Sequence, residues 1–161
     1  MKNENKLSTS WRASSGSTSE IIAINKLVVN TIETVVNRYK TADPFLIANS
    51  LNIEIDWSDF GPHPLGETTY FRNQPIVLLN NEIMYSPQRF FTMGHELGHV
   101  ILHEGYGGYQ TGRLSQGVLE HQANEFASGL MGMLYVEENG RQPDCYIDLV
   151  HAYGSPVNEL D

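Results

Sequence analysis

His95-Glu96-Leu97-Gly98-His99 is the stretch of this chain with the most chemistry in it. On a helix, positions four apart share a face, with Cβ atoms about 5–6 Å apart. His95 and His99 can therefore present two imidazoles to one metal ion. Glu96 follows the first of them, beside the open coordination position of such a metal, where it can take a proton from water. The flanking Phe91, Val100, Ile101 and Leu102 are apolar, as a buried helix requires. Gly94 and Gly98 are poor helix formers, costing about 1 kcal/mol each against Ala. They make sense if the helix backbone comes close to a neighbouring sheet or helix.

The pentapeptide arises by chance too often to stand alone, so a third ligand matters. Zinc in a hydrolytic site takes three protein ligands and leaves one position for water or substrate. The candidates are His63, His103, His121, His151 and the carboxylates of the next helix. His103 continues the series of 95 and 99, but on a straight helix it lies about 12 Å along the axis from His95. It cannot share their metal, and a packed or helix-end role suits it better. A metzincin would need histidine at position 105, which is Gly. Glu120 is the better candidate, because it opens a helix that the preceding loop can fold back antiparallel. Asn124 lies one turn on and on the same face, where it can accept from the outer nitrogen of a ligating histidine and fix its tautomer. The competing account of Glu120 is a solvated carboxylate favoured by the helix dipole. His121 is adjacent in sequence but points about 100° away around the helix.

These residues need elements to hold them. Residues 1–18 are rich in Ser, Thr, Asn and Lys and read as a flexible arm. Ile21, Ile24, Val28, Ile32, Val35 and Tyr39 recur at helical spacing, giving an amphipathic helix to about Lys40. Asp43-Pro44 starts a short helix with Phe45, Ile47, Ala48 and Leu51 on its apolar side. Ile53 to Trp57 alternates as a strand, and residues 59–66, with two Pro and two Gly, form a loop. Glu67–Phe71 and Pro75–Leu79 are two further strands joined at Arg72-Asn73-Gln74. Ser86-Pro87 opens the histidine helix, which ends near Glu104-Gly105. A Gly- and Tyr-rich loop over 105–114 leads to a helix from about Ser115 to Val136, and Asp144 caps a last helix that Gly154 stops. The pattern is α+β: a small three-stranded sheet against the histidine helix, with further helices, in one domain over 19–161.

Composition narrows the function. A net charge of −9 argues against direct nucleic-acid binding. The single Cys145 rules out an internal disulfide or a cysteine-based zinc site. The chain has no apolar run of membrane-spanning length, and no apolar segment follows Lys2 and Lys6 as a signal peptide would require. A cytoplasmic protein is the expectation.

Asp43-Pro44-Phe45, the strands Ile53–Trp57 and Ile76–Leu79, Arg89-Phe90-Phe91 leading into HELGHVILH, and EHQANEFA at Glu120–Ala127 together resemble the ImmA/IrrE family of metallopeptidases. The likeness runs in order from about residue 20 to about residue 135. It implies one zinc ion per chain on His95, His99 and Glu120, with Glu96 as general base. It also implies a minimal gluzincin-like α+β domain, an edge strand beside the active-site helix, and, as substrate in several members, a helix-turn-helix repressor. The strand Ile76, Val77, Leu78, Leu79 runs into the turn before the histidine helix. As an edge there, it would pair with an extended substrate.

The expected function is thus a zinc endopeptidase acting on a protein, a DNA-binding repressor of a mobile element or stress response. Tyr70, Tyr106, Tyr109 and His121 are candidate donors to the oxyanion, and the sequence does not choose among them. One alternative is a zinc-binding interaction protein that holds such a partner without turnover; another is a small zinc amidase. The retained Glu96 argues against the non-catalytic reading, because structural zinc needs no base.

Overall fold

Helical periodicity in the apolar residues, and alternation or a short apolar run in the strands, sort the chain into layers. The computed structural model describes residues 18–103 and 112–157. In order these form α1 (Thr18–Tyr39), α2 (Pro44–Ser50), β1 (Glu54–Ser58), β2 (Gly66–Phe71), β3 (Gln74–Asn80), α3 (Gln88–Leu102), α4 (Gly112–Asn139) and α5 (Tyr146–Tyr153). The fold is α+β, with the three-stranded sheet packed against α3. The expected N-terminal arm lies outside the described residues save for Thr18, which begins α1. The expected glycine-rich loop lies outside them up to 111, and its last residues belong to α4, which starts three residues early.

Local chemistry sets the element ends. Asp43 Oδ1 accepts from the backbone N–H groups of Phe45 at 2.8 Å and Leu46 at 3.3 Å, two of the donors a helix start leaves unpaired. Ser86 Oγ does the same for Gln88 at 3.2 Å, at the head of α3. Asp148 reaches back to the N–H of Asp144 at 2.8 Å, and Gly154 ends α5 in the left-handed conformation at φ 65°. Arg72 and Asn73 both have positive φ, 51° and 65°, so the hairpin turn has two residues rather than three. Gln74 is already in β3, opposite Phe71. Such turns match the twist of the strands they join.

The core lies between α1, α3, α4 and the sheet. Val28, Ile32 and Val35 of α1, Phe91, Met93 and Leu97 of α3, Phe126, Leu130 and Leu134 of α4, and Val77 and Leu79 of β3 form one buried cluster. Within it α3 and α4 pack against each other most extensively. A Cβ on Gly98 would stand 3.2 Å from Ala123 Cα and from Phe126 Cβ, tighter than ordinary contact. The missing side chain is what lets the two helices close.

The sheet order is β1-β3-β2, with β3 parallel to β1 and antiparallel to β2. This corrects the expectation that Ile76, Val77, Leu78 and Leu79 form a substrate-binding edge. Val77 sits opposite Ile55 on one side and Thr68 on the other, so both edges of β3 are already paired. The run is apolar because it is an interior strand; Val77 and Leu79 are fully buried. The edge strand beside α3 is β2.

Among the described residues no helix is long and apolar enough to cross a membrane. Gly98→Leu should force α3 and α4 apart and destabilise the fold by about 1–3 kcal/mol, the usual cost of overpacking a core. Urea denaturation of the purified variant measures it.

Candidate metal centre

α3 carries His95, Glu96 and His99 within two turns, and α4 brings Glu120 across to them. Among the described residues, His95, His99 and Glu120 are the group whose ligand atoms converge, all within 4.8 Å of one another. His95 Nε2 and His99 Nε2 are 3.1 Å apart. Glu120 Oε2 is 3.3 Å from the first and Oε1 is 3.2 Å from the second.

These edges test whether a metal fits. A tetrahedral zinc ion with bonds of about 2.0–2.1 Å separates its ligands by about 3.3 Å. The two imidazole nitrogens stand near that spacing, and each histidine has one Glu120 oxygen at it, Oε2 for His95 and Oε1 for His99. The donor set, two imidazoles and a carboxylate, is one that hydrolytic zinc sites use, and it leaves a fourth position open. Electrostatics agrees. Hydrogen bonds from His95 and His99 hold the Glu120 carboxyl well below the usual carboxylate range. Burial pulls His95 down, but the hydrogen bond to Glu120 and the charges of Glu96 and Glu120 outweigh it and raise its pKa. The cluster favours positive charge at its centre.

Around these three side chains stand groups that hydrogen-bond to the histidine rings. Asn124 Oδ1 lies 2.7 Å from His95 Nδ1, on the side of the ring away from Glu120. His99 Nδ1 lies 3.0 Å from His103 Nδ1, and His103 Nε2 lies 2.9 Å from Gln122 Oε1. His103 is buried, and that burial lowers its pKa.

Glu96 is buried, 5% exposed, and does not join the converging group. Thr68 Oγ1 of β2 donates to its Oε2 at 2.7 Å. Gly66 makes this possible: a Cβ there would meet Thr92 Cγ2 at 2.8 Å and both Glu96 Cγ and Oε1 at 3.1 Å. The head of β2 thus lies directly on the carboxylate.

His121 instead pairs with Glu125 Oε1 at 3.3 Å, one turn along its own helix, and takes no part in the group. Tyr106 and Tyr109 lie outside the described residues, and Tyr70 is partly exposed on β2. Sequence reasoning missed Thr68, Gln122 and the contact of His103. The four-residue spacing of His103 from His99 was a usable signal. Nothing local in β2 marks Thr68 as a partner of Glu96.

A histidine-glutamate helix crossed by a carboxylate from a second helix, with a sheet edge alongside, defines a metallopeptidase-like domain. Comparison with known families agrees. The family of the IrrE N-terminal-like domain, a peptidase family, matches residues 48–135, more than half of the sequence, and the chain belongs to it. It is also similar to an "Uncharacterized immunity region protein 2" of Bacillus phage phi105, 26% identical over 77 residues. That alignment covers 48% of this chain and 48% of the phage protein, so the match spans about half of the relative's length.

Zinc titration against a competing chelator checks the centre. His95→Ala, His99→Ala and Glu120→Ala should each lose tight binding, and with it the thermal stability that the metal adds. His121→Ala should bind as the wild type does. Asn124→Ala should weaken binding about 10–100-fold.

Proposed function

We propose that the protein is a zinc-dependent endopeptidase that hydrolyses a peptide bond in a protein substrate, a helix-turn-helix repressor. The observation that carries the reading is the buried Glu96, held by Thr68 at 2.7 Å beside a ready three-ligand centre. A site that merely held a structural ion would have no use for a positioned base.

His95 Nε2, His99 Nε2 and the Glu120 carboxylate would hold the ion. When bound, zinc supplies Lewis acidity toward water and toward the scissile carbonyl. Glu96 accepts a proton as water attacks and returns it to the departing amine. Thr68 donates to Oε2 and so fixes the orientation of that carboxylate. Near α3, β2 pairs with β3 alone among the described residues, so its outer backbone groups can pair with an extended peptide and lay it along the site.

Two further supports bear on the substrate. The name of the phage relative ties that protein to an immunity region. The family resemblance ties domains of this kind to repressor cleavage. An acidic chain, net −9, also suits a basic, DNA-binding partner.

The test is incubation with a helix-turn-helix repressor, taken from a neighbouring gene where one is encoded there, with cleavage read by mass spectrometry. Zinc-loaded wild type should cut it. Glu96→Gln should keep zinc and stability yet lose turnover, and Thr68→Val should lower kcat while keeping zinc. Undiminished cleavage by Glu96→Gln would sink the assignment of the base. An intact repressor in the wild-type reaction would remove it as substrate.

A further inference from the structure

We propose that His103 and Gln122 form a hydrogen-bond relay that fixes His99 in its metal-binding tautomer. The inference rests on the metal-centre reading above and adds to it two positioning residues that never touch the ion.

A histidine that binds through Nε2 must carry its proton on Nδ1, so that Nε2 keeps its lone pair. For His95 the protein enforces this directly. Asn124 Oδ1, at 2.7 Å from Nδ1, can only accept, so Nδ1 must donate. For His99 the neighbour of Nδ1 is another imidazole nitrogen, His103 Nδ1 at 3.0 Å. A ring nitrogen can donate or accept, so this contact alone leaves the tautomer of His99 undecided.

The next contact decides it. His103 Nε2 lies 2.9 Å from Gln122 Oε1, a carbonyl oxygen that can only accept. The His103 proton is therefore on Nε2. A neutral imidazole has one N–H, which leaves His103 Nδ1 bare to accept from His99 Nδ1–H. The His99 Nε2 lone pair then points at the centre, 3.1 Å from His95 Nε2 and 3.2 Å from Glu120 Oε1. Run backwards, the same chain would place a proton on His99 Nε2 and oppose the metal.

Both terminal acceptors, Gln122 and Asn124, come from α4, the helix that also supplies Glu120. One helix thus sets the third ligand and the tautomers of the other two. His103 caps the C-terminus of α3 and is 6% exposed, so water does not readily compete for either ring nitrogen.

Substitutions separate this role from packing. Asn carries its side-chain oxygen about where an imidazole has Nδ1, whereas Gln carries it about where Nε2 would be. His103→Leu should weaken zinc binding about 10–100-fold. His103→Asn should restore most of that loss, because its oxygen accepts from His99 as Asn124 does from His95. His103→Gln should not. Gln122→Glu, an obligate acceptor, should bind zinc at least as tightly as wild type, while Gln122→Leu should bind it less tightly. Imidazole 15N NMR of the zinc-loaded full chain should find His103 protonated on Nε2 and His99 on Nδ1.

Equal weakening by Leu, Asn and Gln at position 103 would mark a packing residue and overturn the relay. So would wild-type affinity in His103→Leu, or a His103 proton on Nδ1. If zinc binds the wild type and is lost in His95→Ala but not in His103→Leu, the relay fails and the metal centre stands. A wild type that takes up no zinc ends both.

Discussion

The approach of α3 to α4 at Gly98 is the constraint on which the site depends. The histidines sit on one helix and their carboxylate on the other, so the distance between helix axes sets whether three ligand atoms can converge. Ridge-into-groove packing places helix axes about 8–10 Å apart, according to the side chains at the contact. A carboxylate spans only a few ångströms from its own backbone, so a wide crossing would strand Glu120 beyond reach of the imidazoles. With hydrogen at position 98, Ala123 Cα and Phe126 Cβ come close enough that a Cβ there would have only 3.2 Å. The helix propensity given up at Gly98, about 1 kcal/mol, is offset by the apolar contact made where the helices close. Stability and site geometry therefore come from the same contact.

The charge distribution follows from that contact. Two half-buried imidazoles, a partly exposed carboxylate and a buried glutamate crowd into one corner of the fold. Uncompensated, such a corner would be costly, since burying charge without a partner is unfavourable. The direction of the shifts shows how the charges balance one another. Glu120 stays ionised by taking hydrogen bonds from both histidines, and His95 is pushed toward its protonated form. Glu96 is drawn aside, its Oε2 taken by Thr68.

What could be read in the sequence was whatever local spacing encodes. The helix bearing His95 and His99, the Asp43 cap, the alternation of Ile53, Ile55 and Trp57, and the crossing helix that carries Glu120 all announce themselves within a few residues. The pairing of Asn124 with one ligand also follows from helix periodicity once Glu120 is chosen. Strand order does not. Ile76–Leu79 carries the pattern of a buried strand, but nothing in that pattern says how many neighbours it has. The two partners of His99 and Glu96 were hidden for different reasons. His103 is visible on the right helix, but as a third metal ligand its axial distance forbids it, and a packed or helix-end role does not by itself name its partner. It lies one turn past His99 and can touch that ring while missing the ion. Thr68 is 28 residues from Glu96, and only the register of the sheet brings them together.

The strand that borders the site is accordingly the less apolar of the pair. β3 supplies Val77 and Leu79 to the core and uses both of its backbone edges, so it is fixed by the interactions that make it look important. β2, with Gly66-Glu67-Thr68-Thr69 leading into Tyr70 and Phe71, has half-buried positions toward α3 and exposed ones between them. A substrate edge has to stay unpaired in the resting protein without recruiting a second copy, and short, partly polar strands with an exposed charge meet that demand. Under the proposed function it must also stand at the Glu96 carboxylate, which requires a residue small enough to let the strand reach the helix. Gly66 meets the second condition and Glu67 and Thr69 the first. The chain separates the two tasks by strand: hydrophobic run to the interior, alternating run to the edge. For this architecture, the strand to examine for substrate contact is the one with a glycine against the active-site helix, not the one with the longest apolar run.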